Sequence, residues 1–157
     1  MPWVGGKNSC TDKIVDMMPE HYCYCEIFFG GGWVYFAKPV SKVEVVNDLN
    51  GELVNFYRVL QRNHAEFIER AKYELYARDL YYEYERDWKS GEHFKMVNVE
   101  RAFRFYVLIR EAYSAKFGGG WSYGATRNKP KSFFDIFRNG SVDRVSERLK
   151  NTYIDNR

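Results

Sequence analysis

Cysteine, histidine and proline are scarce in this chain, and no apolar stretch approaches the roughly 20 residues that a membrane span requires. The 157 residues include three cysteines, three histidines and four prolines. Cys10, Cys23 and Cys25 are odd in number and form no Cys-x-x-Cys pair, so they support neither a disulfide framework nor a zinc ribbon. Cys23 and Cys25 lie two apart in an expected strand and share a face, where they are expected to be small buried hydrophobes in a reducing compartment. His21, His64 and His93 are scattered without ligand spacing, so no metal site is expected. With no signal-peptide pattern at the start, a cytoplasmic location and no membrane partner are expected.

What is present describes a globular chain. Hydrophobic residues make up 45% and charged residues 29%, which argues against disorder. Aromatics at 18% supply either stacking surfaces or a core of large rings. The net charge of +3 is unevenly spread. From Lys72 to Glu100, five Lys/Arg stand against seven Asp/Glu, whereas from Lys116 to Arg157 nine stand against four. A basic C-terminal segment suits phosphate neutralisation, and equally a solvated face.

Local patterns give an order of elements. Thr11 is placed to cap a short helix carrying Ile14, Val15 and Met18, which Pro19 ends. Tyr22 to Phe28 reads as a strand running into Gly30-Gly31-Gly32, with a helix from about Val34. Val43 to Val46 is a second strand, and Leu53, Phe56, Tyr57 and Leu60 recur at i, i+3, i+4 and i+7, an amphipathic helix. Strand-helix-strand-helix predicts an open, mostly parallel α/β sheet that binds ligand at the C-terminal ends of its strands. Beyond Asn63 the pattern becomes helical, from Ala65 to about Lys89 and from Val99 to about Lys116. Phe117 to Pro130, rich in Gly, Ser and Asn, is a loop or hairpin. A helix from Val142 to Leu149 leads to a last strand at Asn151 to Ile154.

The chemistry concentrates in three places. Gly30, Gly31 and Gly32 let a ligand approach the backbone, since glycine has no Cβ and accepts positive φ. Asp48, at the end of the second strand, is placed as an acceptor for a ribose diol, by the logic of an acid about 20 residues after a dinucleotide glycine loop. A lone glycine run is commonly only a turn, and an acid in Asn47-Asp48-Leu49-Asn50 is commonly only a helix cap; the combination is more specific. Gly5-Gly6-Lys7 lacks the preceding strand and following hydroxyl of a P-loop, which argues against a phosphate-binding NTPase.

In order and spacing these blocks resemble the Dam-like (D12 class) adenine-specific DNA methyltransferases. Pro2-Trp3-Val4-Gly5-Gly6-Lys7 is similar to that family's N-terminal motif, and Glu26-Ile27-Phe28-Phe29-Gly30-Gly31-Gly32 to its Glu-Pro-Phe-x-Gly-x-Gly, with Ile27 where proline is usual. Asn47 to Asn50, followed by Leu53 to Tyr57, resembles the next block, and Arg101 to Tyr113, Phe117 to Gly120 and Tyr123-Gly124 resemble a target-recognition helix and glycine-rich segment. The resemblance implies a partial Rossmann-like sheet that binds S-adenosylmethionine (AdoMet, product S-adenosylhomocysteine), with an inserted helical target-recognition subdomain. Residues 1–61 would form the AdoMet-binding part, 62–145 the recognition region, and 146–157 the return to the sheet. Trp3, Gly6, Lys7, Glu26, Phe28, Gly30, Gly31, Gly32 and Asp48 are the implied cofactor residues. Arg104, Arg110, Lys116, Tyr123, Arg127 and Lys129 are the candidate contacts to double-stranded DNA.

The implied reaction methylates the exocyclic amine of a flipped-out adenine. The family performs it with an Asp-Pro-Pro-Tyr motif, and Pro2, Pro19, Pro39 and Pro130 lie in no such motif. Family order puts the motif just after Arg157, so no catalytic residue is assigned and the chain is expected to be inactive alone. A noncatalytic DNA-binding protein is the alternative from a second class. One half of a split enzyme is another, because an unfinished sheet edge invites a complementing chain or a homodimer.

Overall fold

The computed structural model describes residues 1–124 and 126–157; residue 125, within the expected Phe117–Pro130 connection, lies outside the described residues. The order is α1 (Thr11–Asp16), β1 (Cys23–Glu26), α2 (Trp33–Ala37), β2 (Val43–Asn47), α3 (Gly51–Arg62), α4 (His64–Ala71), α5 (Arg78–Ser90), α6 (Asn98–Arg110), α7 (Lys129–Arg138), α8 (Ser141–Leu149) and β3 (Thr152–Asp155). The three strands form an open parallel sheet in the order β1-β2-β3, with Cys23 opposite Val43 and Val45 opposite Tyr153. Parallel pairing requires crossovers, and α2 and the helices from α3 to α8 provide them. The fold is thus mixed α/β, as expected.

Alternation along the strands divides the sheet into two unlike faces. Val46, Glu44, Glu26 and Thr152 point into the helical side and are buried. Cys23, Cys25 and Tyr153 point the other way and are exposed. This corrects the expectation of buried cysteines: the strand alternation is right, but among the described residues nothing covers that face.

The aromatic enrichment goes mainly into the core. Phe56, Phe67, Phe103, Tyr106, Phe133 and Phe137 pack ring to ring across α3, α4, α6 and α7. The same apolar cluster reaches Val46 of β2 and Leu149 of α8, so the helical segments and the sheet share one core. Burying these large rings is the main favourable term holding α4 to α7 against the sheet-bearing elements.

Two expected helices are shorter than their patterns, and one helix went unexpected. The stretch from Ala65 to Lys89 is interrupted between Ala71 and Arg78, where Glu74 turns inward to Arg70 and Tyr84. The stretch from Val99 stops at Arg110, because the backbone turns extended at Ala112, with φ of −66° and ψ of 150°. Thr11 is the first residue of α1 rather than its cap, its hydroxyl donating to the Lys7 carbonyl. The unexpected α7 starts at a recognisable signal: Asn128 Oδ1 accepts from the Lys131 amide at 2.9 Å, with Pro130 in the first turn.

At the far end, Arg148 of α8 ion-pairs with Glu44 of β2, which Lys38 approaches to 2.6 Å. Tyr35 of α2 donates to the Arg148 carbonyl at 2.8 Å and lies within 2.5 Å of the Thr152 hydroxyl. These bonds steer the chain leaving α8 back to the sheet as β3.

Candidate functional site

The β1–α2 connection is built for close approach. Gly30 has φ of 51°, and a Cβ there would lie 2.9 Å from Cδ1 of Trp3. Gly32 has φ of 70° and precedes α2; its Cβ would lie 2.6 Å from Phe36 and 2.9 Å from Phe29. A side chain at either position meets both backbone strain and a ring, so the sequence can place only glycine there.

Asp48 closes the loop from the neighbouring strand. Its Oδ2 accepts from the Gly30 amide at 2.8 Å, and its Oδ1 accepts from the Asn50 amide at 2.9 Å. Asn50, not Asp48, caps α3, accepting from the amides of Glu52 and Leu53. The Tyr57 hydroxyl, rising from α3, donates to the Gly30 carbonyl at 3.0 Å. Burial, with the charges of Glu26 and Asp48 added, pushes the Tyr57 phenol up, so it stays a donor.

Lys7 fixes the third side. Its ammonium donates to Glu26 Oε1 and to the Phe28 carbonyl, both at 2.8 Å. Glu26 is buried and also accepts from the Tyr24 hydroxyl at 2.9 Å, and burial together with Glu26 pushes that phenol up. The N-terminal motif is thereby tied to the end of β1 across 19 residues of sequence.

Together these groups enclose a cavity of about 310 Å³ at the C-terminal end of the strands, lined by Trp3, Gly6, Lys7, Phe28, Gly30, Gly31 and Asp48, with Val4, Gly5, Phe29 and Trp33. Seven of the nine expected cofactor residues therefore meet there. Glu26 sits behind Lys7, and Gly32 sets the turn into α2. Trp33 and Tyr57 were missed. Trp33 follows the glycines directly and could have been included, whereas the Tyr57 contact spans 27 residues and has no local signal.

The expected nucleic-acid contacts divide differently. Arg104 is engaged with Glu100 and Asp87, each at 2.6 Å, and its guanidinium lies 4.2 Å from the Tyr84 ring centre. Arg110 donates to the carbonyl and hydroxyl of Ser132 in α7. Lys116, Tyr123 and Arg127 are exposed around the glycine-rich hairpin, and Lys129 donates to the Ser122 hydroxyl at 2.7 Å. The hairpin is pinned by an antiparallel bridge between Ala112 and Trp121. Among the described residues no His, Cys, Asp and Glu gather into a possible metal site, and no helix is long and apolar enough to cross a membrane.

Comparison with known proteins agrees with the motifs. The family model for D12 class N6 adenine-specific DNA methyltransferases matches residues 3–157. The chain is 33% identical to the type II methyltransferase M1.LlaDCHI of Lactococcus lactis subsp. cremoris, over 97% of this chain and 55% of that protein. It is 28% identical to the DNA adenine methylase of Escherichia coli strain K12, over 73% of this chain and 41% of the methylase. The DNA N-6-adenine-methyltransferase of Escherichia phage P1 is 40% identical over 60 residues, 38% of this chain and 8% of the phage protein. The chain thus spans about half the length of the first two relatives. A family match over nearly every residue, on a fold whose glycine loop and Asp48 converge as the motifs require, places this chain among the D12 class N6 adenine-specific DNA methyltransferases.

Proposed function

We propose that this chain is the AdoMet-binding and DNA-recognition part of a site-specific DNA adenine methyltransferase that modifies the exocyclic amine of adenine. The observation that carries this reading is the convergence of Trp3, Lys7, Gly30, Gly31 and Asp48 on one cavity. The residues fit the cofactor. Gly30 and Gly31 line the cavity, packed without side chains against Trp3 and the Met1 carbonyl, the Asp48 carboxylate can accept from a ribose diol, and the Trp3 ring supplies an apolar wall. The cavity volume falls at the lower end of the roughly 300–1,000 Å³ usual for small-molecule sites. AdoMet, when bound, supplies an electrophilic methyl group.

The chain's own residues hold and orient. Lys7, neutralised by Glu26, keeps the N-terminal motif against the end of β1, and Tyr57 holds the Gly30 carbonyl. The DNA-facing set is Lys116, Tyr123, Arg127 and Lys129 at the hairpin, while Arg104 and Arg110 brace α6 against its neighbours. Residues 1–61, 62–145 and 146–157 are the corresponding functional divisions, and the cytoplasm is the proposed location. Calorimetric titration with S-adenosylhomocysteine tests the cofactor part: micromolar binding supports it, and no binding by demonstrably folded protein refutes it for the chain alone.

A split enzyme is the second reading, favoured by the outer edge of β3, which pairs with no further strand among the described residues, and by the sheet face of Cys23, Cys25 and Tyr153, which none of them covers. A complementing chain that adds strands there and brings an Asp-Pro-Pro-Tyr motif should restore methyl transfer on mixing. Failure of every such fragment to bind removes this reading.

A further inference from the structure

Glu111 follows α6 directly and is the most deeply buried carboxyl of the described residues, with 0% exposure. Its Oε2 accepts from the Trp121 indole Nε1–H at 2.9 Å, while Oε1 has no hydrogen-bond partner among the described residues. The same residue anchors the hairpin through its backbone, its carbonyl accepting from the Ser122 amide at 2.8 Å. On the other side of the hairpin, Tyr113 donates its amide to the Gly120 carbonyl at 2.9 Å. One carboxyl therefore sits at the base of the segment that carries Tyr123, Arg127 and Lys129. Trp121 forms a wall of an open surface cavity together with Tyr76, Tyr123 and Pro130.

The surroundings determine which charge state fits. Between α4 and α5 stand Glu74 and Tyr76; from α5 come Arg78, whose guanidinium lies 5.0 Å from the Trp121 ring centre, and Tyr81. Arg110 adjoins on the helix side, and Lys129 faces from the start of α7 but is spent on the Ser122 hydroxyl. Among the described residues no cation makes an ion pair with Glu111. A bare carboxylate with one oxygen unpartnered would be costly there, whereas a neutral carboxyl can still accept from the indole.

We propose that Glu111 is the positioning residue of the glycine-rich hairpin: its protonated carboxyl docks Trp121, and loss of that proton releases the hairpin. This deepens the DNA-recognition reading and rests on it for its consequence, but not for its test. Burial raises the Glu111 carboxyl from an ordinary value near 4.5 to about 8, with Glu74 adding to the rise and the Trp121 hydrogen bond and Lys129 opposing it. With the hairpin released and the carboxyl in water, the ordinary value returns. The docked form therefore binds the proton more tightly, and docking weakens as pH rises between about 4.5 and 8, by up to tenfold per unit.

The experiment follows the Trp121 indole N–H resonance from pH 4 to 9 in the full chain, assigned with Trp121→Phe. Circular dichroism checks that the protein stays folded throughout. In the wild type the resonance should undergo one transition within that window. In Glu111→Gln, whose amide oxygen still accepts from the indole, it should stay flat at the docked position. A flat wild-type curve overturns the proposal without recourse to any variant, and so does a transition that survives in Glu111→Gln. The second arm measures duplex DNA affinity at pH 6 and pH 8.5. An affinity loss of at least tenfold in the wild type, absent from Glu111→Gln, supports the positioning role, and an unchanged wild-type affinity overturns it. If DNA fails to bind at any pH, the DNA-recognition reading falls, while the resonance titration still decides whether Glu111 docks the hairpin.

Discussion

The Gly30 amide donates to Asp48 Oδ2 at 2.8 Å, so the acid at the end of β2 holds the glycine loop at the end of β1. Asp48 consequently has two tasks: it fixes the loop that a ligand would approach, and it faces the same cavity as an acceptor. Replacing it with alanine should weaken S-adenosylhomocysteine binding by roughly tenfold or more, about 1.4 kcal/mol or greater, since a hydrogen bond to a charged acceptor contributes about that much. Asp48→Asn should lie between the two, because its amide group cannot accept from both the Gly30 and Asn50 amides. Calorimetry on the three proteins ranks them, and unchanged affinity in Asp48→Ala removes this residue from the site.

Gly32 and Gly118 separate backbone strain from crowding. Both have left-handed φ, 70° and 72°, but a Cβ at Gly32 strikes Phe36 and Phe29, whereas one at Gly118 meets none of the described residues within 4 Å. Gly118→Ala should cost about 1–2 kcal/mol, the usual strain of that conformation. Gly32→Ala should cost that and a further ~1–3 kcal/mol for overpacking. Urea unfolding of the two variants measures the difference, and equal losses would contradict the packing of α2 against the loop.

The parts of the molecule that could be read from sequence are those set by neighbours along the chain. β1 and β2 announce themselves as short β-prone runs, α3 through Leu53, Phe56, Tyr57 and Leu60, and the glycine loop with Asp48 through its position at strand ends. The remainder depends on distant partners. The break before α5 follows from Glu74 turning to Tyr84, ten residues on. Arg104 resembles a free surface cation until Asp87 is placed beside it; only its Glu100 partner, one helical turn back, could be foreseen. Cys23 and Cys25 were misread because alternation pairs them on one face but cannot say whether anything covers that face.

An open, mostly apolar cleft of about 360 Å³ lies between the N-terminus, α3, α6, α7 and α8, with Met1, Phe56, Leu60, Ile136, Val142 and Val145 among its walls. Adding one methylene to a wall of such a space gains buried area and dispersion contacts without displacing a neighbour. Val142→Ile, which keeps the β-branched shape in α8, should stabilise the chain by about 0.5–1.5 kcal/mol, the reverse of the usual Ile→Val loss. A lower unfolding midpoint in urea would show that the side chain does not reach the space.

Acid stability should depend on Glu44, held by Arg148 and by Lys38. Burial pushes its carboxyl up, but the hydrogen bonds from Arg148, Lys38 and the Ser41 amide outweigh burial and bring it from 4.5 down to about 2. A folded-state value below the unfolded one means stability that is fully present above about pH 4.5 and lost as pH falls through about 2. Glu111 acts in the opposite sense and on the other side of 4.5, losing stability as pH rises toward 8, so the two contributions fall on separate limbs of the curve. Arg148→Met should remove about 1.5–3 kcal/mol at neutral pH, the usual cost of a lost hydrogen bond to a charged group, since Lys38 still pairs with Glu44. It should also flatten the limb between pH 2 and 4.5 while leaving the limb above 4.5 unchanged. Urea unfolding of both proteins across this range decides the point: an acid limb as steep in Arg148→Met as in the wild type would mean that Lys38 alone holds the Glu44 charge.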